Sequence, residues 1–178
     1  YQGYQDGKLY AVNPDGTTKW VKTIGSDMSG GGSSITRDGS KLYIPEQSSP
    51  GRVFCVNTSD GSIIWSYTLP APIHLSSTPE PSQQMGGGIN GTPAISYDEN
   101  TIYFGSGNWL ECNPCSEDIY DDRLFALDVS GSSPILKWEF KSTLEDPQQN
   151  ESRVSFWAAP SIADDGTIYA GNFNGYLY

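Results

Sequence analysis

Large apolar residues alternate with small or polar ones along short runs of this chain, and the runs recur. Gly7-Lys8-Leu9-Tyr10-Ala11-Val12-Asn13 is followed by Asp15-Gly16 and by a second run reaching Trp20. The same order returns as Gly51-Arg52-Val53-Phe54-Cys55-Val56-Asn57, Asp60-Gly61 and Trp65. It returns again as Asp122-Arg123-Leu124-Phe125-Ala126-Leu127-Asp128, Ser130-Gly131 and Trp138, and it restarts at Gly175-Tyr176-Leu177-Tyr178. Period-two alternation marks half-buried strands, and two such runs joined at a Gly turn mark a β-hairpin. Repetition at a spacing of about 45 residues is the signature of a propeller or solenoid.

The pattern predicts an all-β protein of four-stranded antiparallel blades. One blade spans 33–69, with strands at Ser33–Arg37, Lys41–Pro45, Arg52–Asn57 and Ile63–Leu69. The next spans 92–142, with strands at Thr92–Tyr97, Thr101–Gly105, Arg123–Val129 and Ile135–Lys141. Partial blades occupy 1–25 and 159–178, so about three and a third blades form part of a single propeller domain. First-to-second strand turns carry Asp38-Gly39, Glu99-Asn100 and Asp165-Gly166, and Asp-Gly predicts two-residue type I′ loops. Long connections, Pro70–Gly91, Ser106–Asp122 and Ser142–Ala158, all leave the sheets at the opposite end. Functional residues usually sit on loops carried by a rigid scaffold.

Two motifs carry a family resemblance: Ala11-Val12-Asn13 to Trp20, and Cys55-Val56-Asn57 to Trp65. A third copy, Ala126-Leu127-Asp128 to Trp138, has two extra residues before the Trp. They resemble the tryptophan-docking motif of pyrroloquinoline-quinone-like (PQQ-like, quinoprotein alcohol dehydrogenase-like) β-propeller repeat proteins. In place of the motif's Thr before Gly stand Asp15, Asp60 and Ser130. The resemblance implies that Trp20, Trp65 and Trp138 pack between blades and are structural. It also implies what an enzyme of the family would use: a disulfide between adjacent cysteines beside the quinone, a calcium held by Glu and Asn or Asp, and a catalytic Asp. No two cysteines are adjacent here, and no catalytic residue is identified.

A propeller ring needs about four to eight blades. Tyr1–Tyr10 aligns with Tyr169–Tyr178, so the chain opens and closes at one phase of the repeat and reads as part of a longer protein. The expected whole is a seven- or eight-bladed ring, with the remaining blades as its first partners. Net charge is -11, which argues against nucleic acid or an anionic membrane surface as partner, since both require a basic face. No apolar run approaches the ~18 residues of a membrane span.

Cys112-Asn113-Pro114-Cys115 could be a redox pair, half a zinc site or a disulfide. Zinc needs four ligands, and only Cys55 and His74 remain on offer. A reactive thiolate needs positive neighbours, whereas Glu111, Glu117, Asp118, Asp121 and Asp122 surround this pair. A structural disulfide between Cys112 and Cys115 is therefore expected, with Cys55 a buried free thiol. Glu117, Asp118, Asp121 and Asp122 are weak calcium candidates, because calcium takes six to eight oxygens and no EF-hand-like spacing is present. Gly30-Gly31-Gly32 and Gly86-Gly87-Gly88 lack the Lys and following helix of a phosphate loop; they suit crowding of inner strands at the axis. Asn57, Asn90 and Asn150 head N-glycosylation sequons, relevant only to a secreted eukaryotic protein.

Two functions fit. The first is a non-enzymatic extracellular or periplasmic propeller that binds a protein or small-molecule ligand on its insertion-bearing face, with no cofactor in this segment. The second is part of a PQQ-dependent alcohol or sugar dehydrogenase, with PQQ and calcium held in the full-length protein. The cysteine reading is directly testable. Thiol titration of the denatured, unreduced chain is expected to find one free thiol, and three would refute the Cys112–Cys115 bond.

Overall fold

A computed structural model describes residues 1–48, 50–70, 88–107, 123–141, 155–173 and 175–178. Among them the chain forms strands and turns and no helix. The first sheet holds β1 (Gln2–Gly3), β2 (Lys8–Val12) and β3 (Thr18–Thr23). The second holds β4 (Ser34–Ile35), β5 (Lys41–Glu46), β6 (Arg52–Asn57) and β7 (Ile63–Thr68). The third holds β8 (Ala94–Ile95), β9 (Thr101–Gly105), β10 (Arg123–Asp128) and β11 (Ile135–Lys141). The last pairs β12 (Ser161–Ile162) with β13 (Ile168–Tyr169), and a bridge from Gly171 to Leu177 begins a further strand. All pairing is antiparallel between sequence neighbours. The fold is thus a partial β-propeller.

One row of residues explains why each sheet has this shape. In the second sheet, Ser34, Tyr43, Cys55 and Trp65 lie directly opposite one another on successive strands. In the third, the row is Ala94, Tyr103, Ala126 and Trp138. The small residue on the third strand lets Tyr and Trp lean together over it: the ring centroids lie 5.7 Å apart for Tyr43–Trp65 and 5.8 Å for Tyr103–Trp138. In the first sheet Tyr1 and Trp20 stand 5.7 Å apart, with Ala11 opposite Trp20. A bulge precedes every one of these Trp residues, inserting Lys19, Ile64 or Lys137 as the unpaired residue. The bulge falls at one fixed place in each sheet and bends the strand just before its Trp.

Alternation then divides each sheet's side chains between two neighbours. Val53 and Cys55 of β6 join Ile102, Phe104, Phe125 and Leu127 of the third sheet, while Phe54 and Val56 turn to Leu9 and Met28 on the first side. Trp20 also crosses a boundary, its indole N–H donating to the Thr58 carbonyl at 3.0 Å. Its ring lies where a Cβ on Gly61 would stand, 2.9 Å from Cε3. Gly61 is therefore required twice, by this contact and by its φ of 76°.

The Asp-Gly turns differ from the expected type I′ loops, which need positive φ at both central residues. Gly16, Gly39, Gly61 and Gly166 take positive φ, but the preceding Asp residues do not; Glu99 is the sole non-glycine with positive φ among the described residues. The turns are wider. In the second sheet Thr36 N–H donates to Lys41 O and Gly39 N–H to Thr36 O. The Asp carboxylate closes the loop instead, Asp38 accepting the N–H and O–H of Ser40 and the hydroxyl of Thr36. In the third sheet Asp98 takes this role, so Glu99 occupies the Gly39 place and the turn centre lies one residue before the expected Glu99-Asn100 pair. Trp65 is buried at 8% exposure and Trp138 is exposed at 38%. Trp65→Ala is accordingly expected to cost about 3–5 kcal/mol and Trp138→Ala distinctly less, measured by chemical denaturation.

Candidate functional site

The meander order sends the carboxylate-closed turns to one end of the sheets and the other connections to the opposite end. Pro70 and Gly88, Gly107 and Arg123, and Lys141 and Ser155, the described residues that flank the three long connections, all stand at that second end. Its floor is a belt of backbone hydrogen bonds running from sheet to sheet. Met28 N–H donates to Tyr4 O, Ile89 N–H to Glu46 O, and Phe156 N–H to Ser106 O. Each donor leads into the next sheet, and the acceptors directly follow or end β1, β5 and β9. Gln47, Gly107 and Phe173 donate in turn to Asp27, Gly88 and Ser155, closing each sheet onto its own leading segment.

Met28, Ile89 and Phe156 are fully buried under this belt. Glycine makes the approach possible: a Cβ on Gly3 would stand 2.3 Å from Met28 O, and one on Gly105 would stand 2.1 Å from Phe156 O. Nearer the axis, Gly31 lies against the Asn90 and Gly91 backbone, and Gly91 against Trp157 and Ala158. The glycine run at 30–32 thus serves close packing of leading segments.

Polar side chains reinforce the belt. Glu46 is completely buried. Its carboxylate accepts the N–H and hydroxyl of Ser26 at 2.7 and 2.9 Å and pairs with the Arg52 guanidinium through two nitrogens. Burial alone would raise its pKa, but Arg52 and Ser26 outweigh burial and hold it below the usual carboxylate value. Arg52 also lies over the Phe54 ring, 5.0 Å from its centroid. At the equivalent place in the third sheet, Arg123 stacks on Phe125 at 4.9 Å, pairs with Glu139 at 3.0 Å and donates to the Pro70 carbonyl at 2.8 Å. Bidentate and stacked arginines suit such inter-element ties. Pattern reading passes over Glu46, Arg52 and Arg123; the available signal was a polar or basic residue at the second-to-third strand end of each repeat.

Trp20, Trp65 and Trp138 lie within β3, β7 and β11. Cys55 is free and buried, its thiol pushed up to about 11 by that burial. Asn57 lies at the turn end, its side-chain carbonyl accepting the N–H and hydroxyl of Ser59. Asn90 stands half-buried in the belt's inner segment. Cys112, Cys115, Glu117, Asp118, Asp121, Asp122, Asn150 and His74 lie outside the described residues.

A family model described as outer membrane protein assembly factor BamB matches residues 5–86. Among solved structures, BamB from Moraxella catarrhalis matches 98% of the chain with a TM-score of 0.63 at 20% identity. The quinohemoprotein alcohol dehydrogenase ADHIIG from Pseudomonas putida HK5 matches 99% of it at 0.65 and 16% identity. The quinohemoprotein alcohol dehydrogenase from Comamonas testosteroni matches 98% at 0.62 and 17%. The chain spans 44%, 30% and 31% of those three proteins, respectively. No curated protein matches it in sequence.

The pairs described above predict an acid-sensitive fold. Asp38 is held at about 2 by the Ser40 N–H, the Thr36 hydroxyl and the Ser40 hydroxyl, and Glu46 is also lowered. A carboxylate with a lowered folded pKa contributes stability above its unfolded pKa and loses it as pH falls through the folded one. The melting temperature should thus fall as pH drops below about 4, and Asp38→Asn should flatten that fall. A wild-type melting temperature constant down to about pH 2 would contradict the assignment. The recurring motif, the sheet order and these likenesses give the chain the fold of the PQQ-like repeat propellers, with residues 5–86 matching the assembly-factor family's model.

Proposed function

We propose that this chain is part of a non-enzymatic propeller that binds a protein partner through its loop-bearing end, in an extracellular or periplasmic compartment. The observation that carries the reading is how the charged groups of that end are used. Glu46 is held by Arg52 and Ser26, and Arg123 by Glu139 and Pro70, all as ties between or within sheets. What this end then offers is a rigid floor carrying three long connections, the arrangement that suits recognition by loops. The match of residues 5–86 to an assembly-factor family supports a protein partner over a small molecule.

A second reading rests on the fold likeness to two quinohemoprotein alcohol dehydrogenases. On that reading PQQ and calcium would be held largely by residues beyond this chain, whose three cysteines include no adjacent pair. Both readings can be tested on the full-length protein. Supplied with PQQ, calcium and primary alcohols or sugars, it is expected to show no quinone-dependent reduction of an electron-accepting dye. Deletion of residues 71–87 should abolish crosslinking to its partner and leave the melting temperature nearly unchanged. Quinone-dependent turnover would replace the scaffold reading with the dehydrogenase.

A further inference from the structure

β7 is the outer edge of the second sheet. In an antiparallel ladder, opposite pairs alternate between exchanging hydrogen bonds and exchanging none. Leu69 N–H donates to Gly51 O, so in this register the pairs Val53–Tyr67 and Cys55–Trp65 are bonded. Ser66 and Thr68 then turn their N–H and C=O groups away from β6. No described residue takes them.

Edges of this kind are templates for pairing, and proteins commonly guard them with charge. The neighbouring outer strands do so. The bulge residue before Trp is Lys19 in β3 and Lys137 in β11, their ammonium groups reaching Thr58 O at 3.2 Å and Thr101 Oγ1 at 3.1 Å. Beyond the Trp, β3 adds Lys22, and β11 adds Glu139 and Lys141. β7 has no charged residue at all: it reads Ile63-Ile64-Trp65-Ser66-Tyr67-Thr68, with Ile64 in the lysine's place. Ile63 and Ile64 are exposed at 47% and 43%.

We propose that β7 is a docking edge to which an extended segment of another protein adds as a fifth strand, on the outer wall rather than the loop-bearing end. A row of outward N–H and C=O groups is complemented only by another extended backbone, with side chains setting selectivity. Charge decides what kind. The chain carries a net charge of -11, and Asp60 stands just ahead of β7. The fitting segment therefore alternates apolar and small polar residues and carries basic flanks. A second copy of this chain would bring the same negative charge to the edge and be repelled.

The probe is a fluorescein-labelled peptide of alternating valine and threonine with lysine at both ends, titrated into the full-length protein by fluorescence anisotropy. Saturable binding is expected. Ser66→Pro, which removes an outward N–H while sparing the β6 ladder, should weaken it at least about tenfold. Ile64→Lys, which restores the neighbouring blades' charge, should do the same. The melting temperature of each variant shows whether it is folded; if Ser66→Pro unfolds, Ile64→Lys decides. Equal binding to both folded variants, or no binding at millimolar peptide, would overturn the proposal. So would a wild-type dimer that Ile64→Lys dissolves, since the occupant would then be a second copy.

Discussion

The structure depends on a small side chain held between two large ones. At one level of each sheet, Cys55 or Ala126 sits on the third strand while Tyr and Trp rise on either side and meet over it. A larger residue there would push both rings outward. Overpacking a filled core costs about 1–3 kcal/mol, and here the strain would fall on the surface that the next sheet packs against. The bulge before each Trp, the Trp20 contact with Thr58 and the bare α-carbon of Gly61 all act to seat those rings on the following sheet.

Inter-sheet packing and the two ends of the sheets divide along the strand direction. The sheet faces are committed to one another, and the carboxylate-closed turns hold one end. The belt at the other end joins consecutive sheets through buried Met28, Ile89 and Phe156 and through the backbone on either side of them. It is built from described residues on either side of the long connections, and one propeller scaffold can host unrelated activities.

The strands of this fold were legible because period-two alternation runs through their middles. Arg52–Asn57, Thr101–Gly105 and Ile135–Lys141 stand where the pattern places them. The innermost strands are shorter than read: Ser34–Ile35 pairs within the expected Ser33–Arg37, and Ala94–Ile95 within Thr92–Tyr97. Small polar residues there carry no alternation to mark where pairing stops. The turns were misjudged because Asp-Gly is shared by two loop geometries, and a carboxylate bonding two residues onward favours the wider one. The belt was illegible for another reason. Met28 and Ile89 are single apolar residues in irregular segments, Phe156 lies in an irregular Phe-Trp-Ala-Ala run without alternation, and Gly3 and Gly105 look like turn residues until the opposing carbonyl is seen. Glu46 and Arg52 lie six residues apart across a strand connection, a spacing that suggests no pairing until the register brings them opposite.

The size of the residue at the centre of the row is the most direct probe of this account. Cys55→Ala and Cys55→Leu compared by chemical denaturation separate volume from thiol chemistry, because both remove the sulfur and only one adds bulk. The account predicts that Cys55→Ala stays within about 1.5 kcal/mol of wild type and that Cys55→Leu loses about 1–3 kcal/mol more. It also predicts a changed tryptophan emission in the leucine variant as Trp65 leaves its place over the third strand. Equal stability and unchanged emission in the two variants would show that the Tyr–small–Trp row does not govern how the sheets pack.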